Sequence, residues 1–293
     1  MKVERSVLTL LMFASLLVLG NVVRPHRATV NLDSFWSIKT QAPAVHSIVV
    51  AGDSRVMQGI SPKAMEAAWP GQSVWNYGYN AACLNRFYVT SAAAKLDLKK
   101  KNPTLVLGVS PSSLTPHACM RSWHNVHSKI TGFEAWWRVN LLPLSDFVKP
   151  YPLDEILRPW NYDIYLPQPD GWWAQYPRHE RPLASHREYT ENFKGNLPSP
   201  EIMAELFQAV RELTGRGIRV VTFRMPCHVA LQRLEDEMSQ WDEACVREKL
   251  REAGAVWLTF DPSKYRYYDG SHMAVEFAVR FSEDLARELQ KLD

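Results

Sequence analysis

The stretch Ser47-Ile48-Val49-Val50-Ala51-Gly52-Asp53-Ser54 decides the fold. Ile48–Ala51 is a short, continuous apolar run rich in β-branched residues, the pattern of a strand buried on both faces. Gly52-Asp53-Ser54 breaks that run with turn residues. A helix then starts at Ser61-Pro62, with Ser61 as its cap and Pro62 at its first position. The same alternation recurs downstream. Val74-Trp75-Asn76-Tyr77-Gly78 reads as a second strand ending in a glycine turn, followed by a helix over Ser91–Leu98. Thr104–Val109 is a third buried strand, closed by Ser110-Pro111-Ser112-Ser113. A helix at Pro200–Arg216, a strand at Ile218–Phe223, a helix at Leu231–Ala253, a strand at Ala255–Phe260 and a terminal helix from about Ala274 to Leu292 complete the series. Apolar strands separated by helices predict a mostly parallel sheet covered on both faces. The expected architecture is an α/β, flavodoxin-like three-layer sandwich, with ligands at the carboxyl ends of its strands.

The alternation is interrupted between about residues 115 and 200, a segment crowded with Pro, Trp and Tyr. Helical pieces are expected there at Phe133–Leu141 and Leu153–Leu157. Trp136-Trp137 and Trp172-Trp173 offer flat faces of the kind that stack on sugar rings, and packing of the insertion itself is the competing reading. The chain has 293 residues, 46% hydrophobic and 22% charged, which suits an ordered globular protein. A net charge of +3 with no dense Lys/Arg run gives no support to nucleic-acid binding.

At the N-terminus, Lys2 and Arg5 precede an apolar stretch from Val7 to Val23, and Arg24, His26 and Arg27 follow it. A positive start, a hydrophobic middle and a polar exit make an export signal. At about 1.5 Å per residue the stretch is just long enough to cross a bilayer. Residues 1–27 are read as an uncleaved signal anchor and 28–45 as a linker. Residues 46–293 are expected to form one catalytic domain, carrying the insertion at about 115–200, on the outer side of the cell membrane. Four cysteines agree with an oxidising compartment, and the local pairings Cys83 with Cys119 and Cys227 with Cys245 are the first to try. No Cys-x-x-Cys or His-Glu-x-x-His spacing is present, so neither a metal nor another cofactor is expected.

The chemistry lies at two distant points. Ser54 sits on the first strand-to-helix turn, and Asp269-Gly270-Ser271-His272 lies just before the terminal helix. A nucleophilic serine needs a base to take its proton, and an imidazole needs a carboxylate to fix its tautomer. Ser54, His272 and Asp269 supply those three roles. The backbone N–H groups of Ser54 and Gly78 are candidate oxyanion donors. Arg55 and Arg224, just past strand ends, are candidates to hold an acceptor carboxylate or phosphate, with surface ion pairing as the alternative.

These blocks resemble the SGNH/GDSL hydrolase superfamily over most of residues 46–285. Gly52-Asp53-Ser54 matches its nucleophile block, Asn76-Tyr77-Gly78-Tyr79-Asn80 its glycine block, and Asp269–His272 its last block. The third block departs: the usual Gly-x-Asn-Asp is here Gly108-Val109-Ser110-Pro111, so the side-chain amide that helps hold the oxyanion is missing. Ser110 or Asn80 is the candidate replacement. The Ser-Pro strand end, the N-terminal anchor and the Asp-Gly-x-His block are similar to D-alanyl-lipoteichoic acid biosynthesis proteins and, more loosely, to periplasmic alginate O-acetyltransferases. That resemblance implies acyl transfer onto a cell-envelope polysaccharide or polymer, with a membrane-bound O-acyltransferase partner supplying the acyl group. The rivals are a carbohydrate esterase and a catalytically silent module that binds polymer or scaffolds an export complex.

Overall fold

The computed structural model describes residues 6–15, 32–142, 163–181 and 183–293. Its strands are β1 (Ile48–Gly52), β2 (Val74–Asn76), β3 (Thr104–Val109), β4 (Ile164–Pro167), β5 (Trp173–Tyr176), β6 (Arg219–Arg224) and β7 (Val256–Leu258). Five of them form one parallel sheet in the order β2-β1-β3-β6-β7, while β4 and β5 make a separate antiparallel hairpin. Because β2 and β3 lie on opposite sides of β1, the chain reverses its direction of progress there. A crevice opens beyond the carboxyl ends of β1 and β3, where such sheets hold ligands.

The helices are α1 (Leu32–Gln41), α2 (Ser54–Gly59), α3 (Pro62–Ala68), α4 (Arg86–Ala93), α5 (Pro116–Arg121) and α6 (Trp123–His127). They continue with α7 (Gly132–Asn140), α8 (Ser185–Phe193), α9 (Pro200–Gly215), α10 (Val229–Ser239), α11 (Glu243–Glu252) and α12 (Val275–Gln290). Strand side chains alternate between faces, so each face builds its own core. Val49, Ala51, Leu105, Leu107 and Val220 pack against Val89, Leu206, Val210, Val246 and Leu250 from α4, α9 and α11. Ile48, Val50, Val106, Val221 and Phe223 pack against Val56, Met65, Phe281 and Leu285 from α2, α3 and α12. Both faces are thus covered by helices.

Local signals explain most boundaries. The Ser61 hydroxyl accepts from the Ala64 N–H at 3.4 Å with Pro62 next, as the sequence predicts for α3. Asn85 caps α4 by accepting from the Tyr88 N–H, which starts that helix well before the expected Ser91. The helix expected over Leu231–Ala253 is two helices, because Gln240 adopts a left-handed conformation (φ 55°) and Asp242 caps a fresh start. Leu153–Leu157 lies outside the described residues.

Within the segment expected to be a linker, α1 folds onto the domain and buries Phe35 and Trp36 in the first core. Residues 6–15 are helical and exposed, and the rest of the apolar stretch 7–23 lies outside the described residues. Among the described residues no helix is long and apolar enough to cross a membrane. Cys83 and Cys119 form the expected disulfide. The Cys227–Cys245 pairing does not form, since Cys227 is buried just past β6 while Cys245 is exposed on the first turn of α11.

Candidate active site

The turn after β1 leaves no space for side chains. A Cβ on Gly52 would meet Val56 Cγ2 at 2.4 Å and the Gly108 carbonyl oxygen at 2.8 Å, so only glycine lets α2 begin this close to the sheet. The Tyr88 hydroxyl locks the same point, accepting from the Gly52 N–H at 3.0 Å and donating to the Tyr77 carbonyl at 2.6 Å. Asp53 caps α2 through its side chain, which accepts from the Arg55 N–H at 3.0 Å. Ser54 therefore occupies the first position of a helix, where backbone N–H groups lack intrahelical acceptors.

The loop before α12 brings the other two residues to that point. The Asp269 carboxylate accepts from the backbone N–H groups of Ser271 (2.8 Å) and His272 (2.7 Å), so it shapes its own loop. Its second oxygen bonds His272 Nδ1 at 2.7 Å, and His272 Nε2 lies 2.9 Å from Ser54 Oγ. Tyr268 stacks on the imidazole, with centroids 5.8 Å apart and planes 18° off parallel. The Tyr268 hydroxyl is anchored in turn on Gln58 Oε1 at 2.7 Å. Burial opposes charge on Asp269, but the attraction and hydrogen bonds of His272 overcome it and lower the carboxyl pKa to about 2. A carboxylate fixed in its ionised form holds the proton on Nδ1 and leaves Nε2 free to accept the serine proton.

A pocket of about 900 Å³ opens beside Ser54. Trp36, Trp123, Trp173 and His127 form an aromatic wall, with Trp36 stacked on His127 (5.3 Å) and on Trp173 (5.4 Å). Asn80, Ser112, Arg121, Arg138, Glu188 and Tyr189 supply polar lining. Burial pushes His127 down to about 4, with help from Arg138, so it presents a neutral ring. Ala82 and Ala118, sequence neighbours of the bridged Cys83 and Cys119, also line the pocket.

Ser54, Asp269 and His272 come together as the sequence predicts, and Asn80 and Trp173 reach the pocket. The other expected site residues are committed elsewhere. The Gly78 N–H donates to Asn76 Oδ1 at 2.9 Å, and Ser110 Oγ donates to Asp53 Oδ2 at 2.6 Å, so neither is free for an oxyanion. Gly78 is instead required for packing, since a Cβ there would sit 2.4 Å from the Met57 backbone nitrogen. Arg55 is buried against Glu235, and Arg224 pairs with Glu235, Asp236 and Glu243, so neither guanidinium faces a ligand. Trp136 and Trp137 are exposed on α7 and do not line the pocket. Trp172 donates its indole N–H to the Gln58 carbonyl at 2.8 Å and packs on the second core.

Sequence reasoning missed Trp36, Trp123, His127 and Tyr189. Trp36 lies in a segment with little periodicity, and the other three lie in the insertion, so only their aromatic character marked them. Among the described residues no group of His, Cys, Asp and Glu side chains is arranged to hold a metal ion. No protein-family model matches the chain, and no curated protein sequence matches it either.

Proposed function

We propose that this protein is a serine-dependent acyl-transfer enzyme of the SGNH/GDSL type, and that it acylates a cell-envelope polysaccharide or polymer. The observation that carries the reading is the unbroken series from Asp269 through His272 Nδ1 and Nε2 to Ser54 Oγ, with links of 2.7 and 2.9 Å. The strand order about β1 is that of flavodoxin-like sheets and supports the same assignment.

In the proposed reaction, His272 Nε2 takes the Ser54 hydroxyl proton as Oγ attacks the acyl carbonyl of a donor. The resulting oxyanion is held by the Ser54 N–H and the Asn80 side-chain amide. Collapse expels the donor's leaving group, which takes the proton from His272, and an acyl-serine ester remains. An acceptor hydroxyl then loses its proton to His272 and attacks the ester. When the second tetrahedral intermediate collapses, the proton returns to Ser54 Oγ. An acceptor sugar is favoured over bare water by the aromatic wall of Trp36, Trp123 and Trp173, which suits the apolar face of a sugar ring. The N-terminal apolar stretch, flanked by charges as in an export signal, supports a reaction at the outer face of a membrane, where a membrane-bound acyl donor system would supply the acyl group.

A second reading, a polymer-binding module without turnover, draws on the commitment of the Gly78 N–H and Ser110 Oγ to Asn76 and Asp53. One experiment separates the two. The full chain is incubated with a small activated acetyl ester and weighed by intact mass, beside Ser54→Ala and His272→Ala. An acetyl adduct on the wild type that is absent from Ser54→Ala supports the acyl-serine step, and added glycans then report whether sugar or water takes the acyl group. A folded wild type with neither adduct nor turnover favours the binding module.

A further inference from the structure

Arg55 immediately follows Ser54, yet only 1% of its surface is exposed. Burying a guanidinium is costly unless its charge and its donors are all answered. Here they are. Nη1 and Nη2 form a two-pronged pair with the Glu235 carboxylate, also wholly buried. Nε donates to Ser271 Oγ at 2.9 Å, and the cation lies 5.0 Å from the centre of the Tyr189 ring. Arg224 holds the far side of Glu235 at 3.2 Å, so two guanidinium groups share one buried carboxylate.

Ser271 lies inside the Asp269–His272 loop. Its backbone N–H donates to Asp269 Oδ1, while its hydroxyl receives Arg55 Nε and meets the Tyr189 hydroxyl at 2.8 Å. One side chain thus spans from the residue after the nucleophile to the residue before the base. We propose that Arg55, clamped by Glu235, is a positioning residue that sets His272 against Ser54 by holding Ser271. This rests on the acyl-transfer reading for its consequence in rate, though not for its geometry.

The chemistry requires arginine at this place. A guanidinium offers five donors in one rigid plane, so it can engage both Glu235 oxygens and Ser271 at fixed angles. A lysine would keep the charge with three donors on a mobile stem. Tyr189 extends the same connection to the pocket, since it lines that cavity while touching Ser271 and Arg55. The insertion reinforces the link by backbone bonds from Arg181 N–H to the Tyr268 carbonyl and from Ser185 N–H to the Asp269 carbonyl.

The test uses the full chain and compares wild type, Ser271→Ala and Arg55→Lys. Ser271→Ala removes the contact with Arg55 and keeps the buried Arg55–Glu235 pair, so it costs one buried hydrogen bond where Arg55→Lys also disturbs the ion pair. Two readouts are taken: Ser54 acylation by an activated acetyl ester, split into kcat and KM, and the downfield proton resonance of His272 Nδ1–H, identified by its loss in Asp269→Asn. Misplacement by about 1 Å costs on the order of 100-fold, so Ser271→Ala is expected to lower kcat about 10- to 100-fold and broaden or shift the resonance. The thermal midpoint should fall only by the few degrees that one unanswered buried donor costs. A double variant combining Ser271→Ala with Arg55→Lys should lose less than the sum of the two single losses, because both changes cut the Arg55–Ser271 contact. Wild-type kcat in Ser271→Ala, with the resonance unchanged, overturns the proposal. If the wild type does not acylate at Ser54, the acyl-transfer reading falls and the resonance alone decides whether Arg55 positions His272.

Discussion

Asp269→Asn separates a tautomer-setting carboxylate from a loop-building one. Asp269 Oδ1 accepts two backbone N–H groups, and Oδ2 accepts the proton of His272 Nδ1 at 2.7 Å. Asparagine keeps an oxygen for the loop but puts an NH2 group where Oδ2 was. That group cannot accept from Nδ1–H, so the imidazole turns to the tautomer protonated on Nε2 and loses its ability to take the Ser54 proton. The corresponding change in a serine protease lowers kcat by about 10⁴, or roughly 5.5 kcal/mol of transition-state stabilisation, and a loss of about 10³–10⁴ is expected here. The assay is the acylation rate of Ser54 with an activated acetyl ester at pH 7. A loss under tenfold in a folded variant would refute the assignment of His272 as base. Acid stability offers a second check. The Asp269 carboxyl is held down at about 2, below its ordinary value of 3.8. The unfolded chain therefore takes up this proton first, and the associated stabilisation, on the order of 2 kcal/mol, is complete above about pH 4 and lost as pH falls towards 2. In Asp269→Asn that part of the acid profile should be flat.

Three further outcomes follow from separate parts of the structure. Asn80→Ala removes the side-chain amide offered to the oxyanion and should lower acylation about 10²- to 10³-fold with no change in thermal midpoint; an unchanged rate would leave the Ser54 N–H as the sole donor. Burial pushes the Lys39 amine well below its ordinary range against the opposing pull of Asp170. Below about pH 10.4 the unfolded chain then binds a proton the native state resists, so wild-type stability rises as pH climbs to that value. Urea midpoints of Lys39→Met should lack this rise, and parallel profiles for the two proteins would refute it. The Cys83–Cys119 bridge spans 36 positions in the chain, so reduction should cost about 4 kcal/mol by loop entropy. Guanidinium midpoints with and without reductant measure that loss, and a difference under about 1 kcal/mol would refute the loop-entropy account of the bridge.

The sheet was legible because parallel strands buried on both faces must be apolar throughout, and Ile48–Ala51 and Thr104–Val109 have little other use for such runs. Ser54, Asp269 and His272 were legible because their side-chain types have few joint uses. What escaped was set by contacts distant in the chain. Arg55 and Arg224 look like solvated cations until Glu235, 180 positions beyond Arg55, is folded against them. Trp36 looks like linker until Trp173 and His127 stack on it. The break at Gln240 depends on a left-handed residue that is not glycine, and local propensity does not announce it.

The departure from the usual third block also acquires a physical sense. On the proposed SGNH/GDSL reading, Ser110 stands where an asparagine amide would reach the oxyanion, and its hydroxyl is used on Asp53 Oδ2 at 2.6 Å. Asp53 Oδ1 is meanwhile occupied by the Arg55 N–H, so the carboxylate that caps the nucleophile's helix has both oxygens engaged. On that reading the site has one fewer donor aimed at substrate and one more bond at the Ser54 turn. A site with fewer oxyanion donors depends more on the placement of those that remain and on the alignment of its base. On the proposed acyl-transfer reading, the wholly buried Arg55–Glu235 pair, tied to the His272 loop through Ser271, would serve that alignment.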